Sequence, residues 1–221
     1  MSKSRARRQA KDGGFTLLEV MVAIFILTVG AVSVAALAGV MMTTGNRSKY
    51  MSLEASLASE KLEDLNRWPA SAPQVCVPTG STSVGSLTSS PGVLQTTTCP
   101  NSSDGSAGAS ASVAYYDDVN INYAATGSTD CGSSTGGCFA ETVANQSGGT
   151  TTYTTTYHSP DGQITFSSST TAPANMTFHR RWIIEADTPV TGVRRVTVLV
   201  TINSANIQPS NASFQMSMVR P

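Results

Sequence analysis

An almost wholly apolar run from Phe15 to Met42 constrains the fold of this chain more than any other feature. The run exceeds the roughly 20 residues that an α-helix needs to cross the hydrocarbon core of a membrane. Five basic residues precede it, and Arg47 and Lys49 follow it. The five are Lys3, Arg5, Arg7, Arg8 and Lys11. Because basic residues are enriched on the cytoplasmic side, this asymmetry predicts a membrane-spanning helix with a cytoplasmic N-terminus and an exported remainder.

The helical pattern continues beyond the apolar run. Apolar residues recur at steps of three to five among polar residues that include Glu54, Glu60 and Glu63. The apolar set is Leu53, Leu57, Ala58, Leu62 and Leu65. This spacing predicts one apolar stripe on a polar helix, which ends at Trp68-Pro69. A helix over residues 15–67 is roughly 80 Å long, and such length suits a lollipop-shaped subunit with a head at 68–221.

Strand patterns dominate the second half of the head. Residues 150–157 and 163–167 flank the turn sequence Ser-Pro-Asp-Gly at 159–162 and predict a hairpin. Trp182 and Ile184 alternate with polar residues, as do the valines of 196–200, so these strands are expected to pair antiparallel. The predicted register sets Ile184 against Val196, Trp182 against Val198 and Glu185 against Arg195. Phe214, Met216 and Met218 indicate a last strand, whereas residues 68–149 are interpreted as loops with short strands. We therefore expect an α+β fold with a small antiparallel sheet against the helix.

The four cysteines indicate an oxidising compartment. Cys76, Cys99, Cys131 and Cys138 form an even set in a region rich in Ser, Thr and Gly, without a histidine cluster. Three pairings are possible, and order along the chain favours Cys76 with Cys99 and Cys131 with Cys138. The spacings disfavour a zinc site, and no metal or cofactor is expected.

Two features at the start of the apolar run are unlike an ordinary anchor. Glu19 places a carboxylate inside the apolar helix, which costs about 2.5 to 3.5 kcal/mol at the centre of a membrane and suggests a later cationic partner. The polar leader meets the run through Gly13-Gly14, and cleavage there exposes a new amine at Phe15. The residues at 14–23, Gly-Phe-Thr-Leu-Leu-Glu-Val-Met-Val-Ala, resemble the prepilin signature of type IV pilins and pseudopilins.

This resemblance implies a specific maturation. In the family, a membrane-embedded prepilin peptidase cuts after the glycine matching Gly14, which makes residues 1–14 a leader peptide, and the new N-terminus at Phe15 is methylated. The glutamate matching Glu19 pairs with the N-terminal amine of a neighbouring subunit. Residues 15–42 then serve first as the transmembrane segment and later as part of the filament core. Two other interpretations stay open: a signal-peptidase site at Ala36-Leu37-Ala38-Gly39, and an uncleaved anchor.

The expected function is that of a minor pilin of a type IV pilus, in assembly or initiation and at the tip. The run Leu-Ala-Ser-Glu-Lys-Leu-Glu-Asp-Leu at 57–65 is similar to PilV-type minor pilins and their secretion-system relatives, and Ala36 stands where major pilins often have proline. The implied partners are the prepilin peptidase, other minor and major pilins and an inner-membrane assembly platform. The implied location is the inner membrane, with the head in the periplasm, and then the pilus surface.

Alternative functions follow from the same residues. A pseudopilin of a type II secretion system has the same physical requirements. A surface-binding module for adhesion or DNA uptake is a further alternative, in which the Cys131–Cys138 loop makes contact, or Arg180, Arg181, Arg194 and Arg195 cluster. No Lys or Arg occurs from Trp68 to His179, which argues against nucleic acid there. Asp117-Asp118 is interpreted as a solvated pair, with calcium as the alternative. No catalytic motif is present, so an enzyme is not expected.

Overall fold

A computed structural model describes residues 15–89, 93–100, 107–123, 137–173, 176–202 and 213–221. It confirms the α+β layout, because one long helix, α1 (Leu17–Arg67), is followed by antiparallel strands. The strands are β1 (Ser83–Gly85), β2 (Leu94–Pro100), β3 (Ala107–Ala114), β4 (Tyr116–Tyr123), β5 (Cys138–Ser147), β6 (Thr150–His158), β7 (Ile164–Ser169), β8 (Phe178–Ala186), β9 (Arg194–Ile202) and β10 (Ser213–Arg220). The chain divides into two units, Met1–Gly45 and Asn46–Pro221.

The second unit is built on one large antiparallel sheet with strand order β10-β9-β8-β4-β5-β6-β7. The short strand β1 also pairs with β8, and β2 and β3 form a separate ribbon. The predicted register between β8 and β9 is confirmed: Ile184 lies opposite Val196, and Trp182 lies opposite Val198. The predicted hairpin is confirmed as β6 and β7. Gly162 has a positive φ of 84°, a conformation that glycine adopts without steric cost, in the turn between them.

The core of this unit lies between the sheet and the C-terminal part of α1. Leu57, Ala58, Leu62 and Leu65 are buried, as the apolar stripe predicts, and Leu53 is partly buried against them. They share one cluster with inward-facing strand residues, namely Phe178, Trp182, Ile184, Val196, Val198 and Val200. Burial of an aliphatic side chain contributes roughly 1.5 to 3 kcal/mol, so this stripe is a main source of stability for the unit.

The helix ends at Arg67, immediately before Trp68-Pro69, as predicted. The last carbonyl groups of a helix have no partner within the helix and need external donors. The guanidinium of Arg220 supplies two, because Nη1 donates to the carbonyl oxygen of Leu65 at 3.0 Å and Nη2 donates to that of Trp68 at 2.9 Å. Strand β10 therefore caps the end of α1.

The prediction that Glu54 lies on the polar side of α1 is wrong. Its side chain is fully buried, and neither carboxylate oxygen has a hydrogen-bond partner among the described residues. The reason is helical geometry, since Glu54 lies three and four residues before Leu57 and Ala58 and so shares their face. Burial raises the pKa of Glu54 to about 7.

The interpretation of residues 68–149 as loops with short strands holds for residues 68–85 but underestimates the later part, where β4 has eight residues and β5 has ten. The buried positions of β5 alternate regularly, but Ala140, Thr142 and Ala144 occupy them in place of large apolar residues. A hydrophobic alternation was therefore not visible in the sequence. A disulfide joins Cys76 to Cys99, as chain order predicts. Cys138 is also disulfide-bonded, and its expected partner, Cys131, lies outside the described residues.

Candidate functional site

The start of α1 is fixed by Thr16. The backbone amide of Glu19 donates to the carbonyl oxygen of Thr16 at 3.0 Å and lies 3.3 Å from the hydroxyl oxygen of the same residue. A threonine in this position satisfies amide groups that a helix leaves without partners at its N-terminus. Phe15 therefore stands just before the first helical turn, while Gly14, the other residue of the predicted cleavage site, lies outside the described residues.

Phe15 and Glu19 lie on one side of the start of α1, although Phe15 itself precedes the first helical residue, Leu17. Together with four apolar residues they line a shallow groove of about 390 Å³. The four are Val20, Ala23, Ile24 and Leu27. Phe15 is 81% exposed within the isolated chain, so this face is open to a partner.

Glu19 is the only charged residue between Phe15 and Met42. Its carboxylate has no hydrogen-bond or ion-pair partner in the part of the chain that the structure describes. Other polar groups of the segment are satisfied within the helix, because Thr28 donates to the carbonyl oxygen of Phe25 at 2.8 Å and Ser33 donates to that of Val29 at 2.9 Å. Glu19 therefore differs from these hydroxyl groups: in an apolar environment it needs a cation from outside the described chain.

These residues fall within a match to a known family motif. A prokaryotic N-terminal methylation motif spans residues 9–35. It includes Gly14, Phe15 and Glu19, and it supports a type IV pilin-like protein, either pilin or pseudopilin, with a structural role. The match does not reach residues 57–65, so the similarity to PilV-type minor pilins stays a prediction. The chain has no match among curated proteins or among solved structures.

The pilin-like motif and the helix together indicate a membrane anchor that a prepilin peptidase processes before assembly with other pilins. One helix, Leu17–Arg67, contains a stretch long and apolar enough to cross a membrane. All large apolar side chains from Phe15 to Met42 are exposed within the chain. Such a continuous apolar surface requires lipid or other helices around it.

A second charged group lies in the head, between the sheet and α1. Asp117 on β4 faces Arg180 on β8, and both are fully buried. Arg180 donates to both Asp117 oxygens, from Nε at 2.8 Å and from Nη2 at 2.9 Å, and also binds Glu141. Lys61 of α1 lies 3.1 Å from Asp117 and above the ring of Trp182. The group therefore joins the helix to the middle of the sheet.

Electrostatics shows that the charges of this group stabilise one another. Burial alone would raise the pKa of Asp117, but Arg180 and Lys61 outweigh burial and hold the pKa of the carboxyl below its ordinary value. Burial would likewise lower the pKa of Arg180, and Asp117 outweighs it, so this pKa is raised. Both groups are therefore ionised at neutral pH. Such a paired arrangement is typical of a structural ion pair.

Two sequence interpretations are thereby corrected. Asp117 is neither solvated nor in a calcium site, because it lies in the core against Arg180. Among the described residues, no group of three or more His, Cys, Asp or Glu is placed to hold a metal ion. The arginines do not form one basic cluster either, since Arg180 is buried and Arg195 pairs with Glu185 at 2.8 Å, as the predicted register requires. The four arginines therefore do not share one exposed surface.

Asp118 belongs to a different group on the opposite face of the sheet. Tyr116 donates from Oη to Asp118 at 2.6 Å, and Nδ1 of His179 contacts both residues. Burial and the bond to Asp118 raise the pKa of Tyr116, so its phenol stays protonated. Alternation along β4 explains why neighbouring aspartates have such different surroundings. Alternation along β8 could have predicted the burial of Arg180, since Arg180 precedes Trp182 and Ile184 at two-residue spacing.

Proposed function

We propose that this protein is a minor pilin that inserts into, or helps to initiate, a type IV pilus. In this proposal residues 1–14 are a leader that prepilin peptidase removes after Gly14, and the new N-terminus at Phe15 is methylated. Before assembly, the mature subunit is anchored in the inner membrane with its head in the periplasm. It then joins other pilins, through the inner-membrane assembly platform, to reach the cell surface.

The observation that carries the proposal is the carboxylate of Glu19, which has no partner among the described residues and lines the same groove as Phe15. Cleavage after Gly14 would create a positively charged amine at the start of every subunit. An amine from a neighbouring copy or a related subunit would neutralise Glu19 in the apolar interior of a filament, where an unpaired charge is costly. One processing step thus supplies the missing cation.

Mass spectrometry of the N-terminus of the membrane-extracted protein tests this maturation. We expect a chain that begins at methylated Phe15. Gly14→Val should leave the leader attached, whereas Gly13→Ala, one residue farther from the cleavage site, is the matched control and should still be processed. Wild-type protein that begins at Met1, or near Gly39, would contradict the proposal.

A deletion strain separates the pilus from the secretion alternative, because the N-terminal motif is common to pilins and pseudopilins. Loss of surface pili with normal secretion of folded proteins would support the minor pilin. Normal piliation with a secretion defect would assign the protein to a type II secretion system instead. Restoring the gene on a plasmid provides the control for both measurements.

A further inference from the structure

A groove of about 220 Å³ lies on the β6–β7 hairpin, on the face of the sheet opposite α1. Six of its eight lining residues carry a hydroxyl group: Tyr153, Thr155, Tyr157, Ser167, Ser169 and Thr171. The pairing of the two strands places Tyr153 opposite Ser169 and Thr155 opposite Ser167. Strand register therefore brings hydroxyl groups from both strands to one concave surface. Tyr153, Ser167, Ser169 and Thr171 are at least partly exposed there, whereas Thr155 and Tyr157 are buried beneath it.

No lining residue of this groove is charged. The pocket of about 320 Å³ near Arg180 is different, since its lining includes Glu60, Glu141 and Arg67. A charged ligand in the hairpin groove would lose hydration without gaining a counter-charge, which is unfavourable. The groove thus suits a ligand that is neutral and polar.

The partly exposed hydroxyl groups of Tyr153, Ser167, Ser169 and Thr171 can act both as donors and as acceptors toward a ligand. Each hydroxyl can donate once and accept through its lone pairs. Thr155 is positioned by Thr142, 2.8 Å away between their hydroxyl oxygens, and the Ser169 oxygen accepts from the backbone amide of Thr171 at 3.0 Å. The hydroxyl of Ser169 can in addition donate its proton to a ligand. Tyr153, which is half-buried, adds an aromatic surface against which C–H groups can pack.

We propose that this groove binds a neutral carbohydrate. A sugar ring presents many hydroxyl groups that both donate and accept, together with C–H faces that pack on aromatic rings, and it carries no charge. These properties match the lining of the groove in each respect. The inference goes beyond the pilin-like role and does not depend on it, because the groove lies wholly within the head.

Saturation-transfer NMR on the full-length protein in lipid nanodiscs tests this site, since nanodiscs avoid detergents with sugar head groups. The probes are lactose, cellobiose and N,N′-diacetylchitobiose, with glucuronate as the anionic comparison and triglycine as the peptide comparison. We expect at least one disaccharide to receive saturation, and Tyr153→Ala to weaken its binding about ten-fold. Glucuronate and triglycine should give no comparable signal.

Matched variants keep the result decisive. Thr154 lies next to Tyr153 on the opposite face of β6, so Thr154→Ala should leave carbohydrate binding unchanged. Thr171→Val removes a hydroxyl from an exposed position and should weaken binding even if Tyr153→Ala fails to fold. Absence of transfer to all three disaccharides overturns the proposal, as does an equal loss in Thr154→Ala. A stronger signal from triglycine would assign the groove to an extended peptide and overturn it as well.

Discussion

Glu19 and Asp117 are both acids in apolar surroundings, but their charges are balanced in different ways. Asp117 lies in the head and has two cations within the chain, Arg180 at 2.8 Å and Lys61 at 3.1 Å. Glu19 lies in the N-terminal unit and has none among the described residues. The head therefore satisfies its buried charge when it folds, whereas Glu19 has no cation among the described residues. If the proposed function holds, Asp117 contributes to the stability of the head and Glu19 contributes to assembly.

Replacing Arg180 by Met tests the head side of this comparison and should have the largest effect. The substitution leaves Asp117 buried without its bidentate partner, which costs about 3 to 5 kcal/mol of unfolding free energy. Chemical unfolding followed by circular dichroism measures this loss. Asp117→Leu added to Arg180→Met should recover part of it, because the fully buried carboxylate of Asp117 is then removed as well. A single variant as stable as wild type would mean that the pair is not structurally important.

Replacing Glu19 by Gln tests the helix side. We expect incorporation into filaments to fall about 100-fold, because the N-terminal amine of the neighbouring subunit would lose its counter-charge. This factor corresponds to the free-energy cost of an unpaired charge in a membrane. The unfolding free energy of the head should not change. Immunoblots of sheared surface filaments and of membranes measure the ratio of filament-incorporated to membrane-bound protein. Thr28→Val is the control, because its hydroxyl is bonded within the helix. Equal incorporation of Glu19→Gln and wild type would remove the assembly role.

Glu54 offers an intermediate case, since it is buried in the head without a partner among the described residues. Its pKa rises from 4.5 when unfolded to about 7 when folded. Folding therefore favours the protonated form, and the contribution is fully present below pH 4.5 and is lost as pH rises through 7. The loss amounts to roughly 3 kcal/mol at alkaline pH. Glu54→Gln should flatten this decline, and the exposed Glu63→Gln should not.

The smallest effect is expected for Arg195→Ala. Arg195 pairs with Glu185 at the surface, where solvent screens the charges and side-chain freedom offsets the attraction. We expect the midpoint of thermal unfolding to change by less than about 2 °C. A large decrease would show that surface pairs matter as much here as the buried Arg180–Asp117 pair, and the contrast between them would fail.

The sequence predicted those parts of the molecule whose inward positions carry large apolar residues. Trp182, Ile184, Val196 and Val198 fixed the pairing of β8 with β9, and the leucine stripe located the face of α1 that packs on the sheet. Strand β5 was missed because alanine and threonine fill its inward positions. Their small side chains give no periodic signal.

The charged residues were harder to place for a related reason. Asp117 and Glu54 are buried by position on a strand and on a helix, while residue type alone suggested solvent exposure. In the candidate site, the spacing of Phe15 and Glu19 was apparent from the sequence. The structure adds that both line one exposed face and that Glu19 lacks a cation among the described residues.

The pairing of β4 with β8 also affects how quickly the head reaches its native state. This pairing joins Asp117 to Arg180, which are 63 positions apart in the chain. Contacts between distant positions slow folding because the entropy of the intervening loop is lost first. The β6–β7 hairpin is local and should form early. Stopped-flow refolding should therefore be limited by this pairing, and Arg180→Met should slow it.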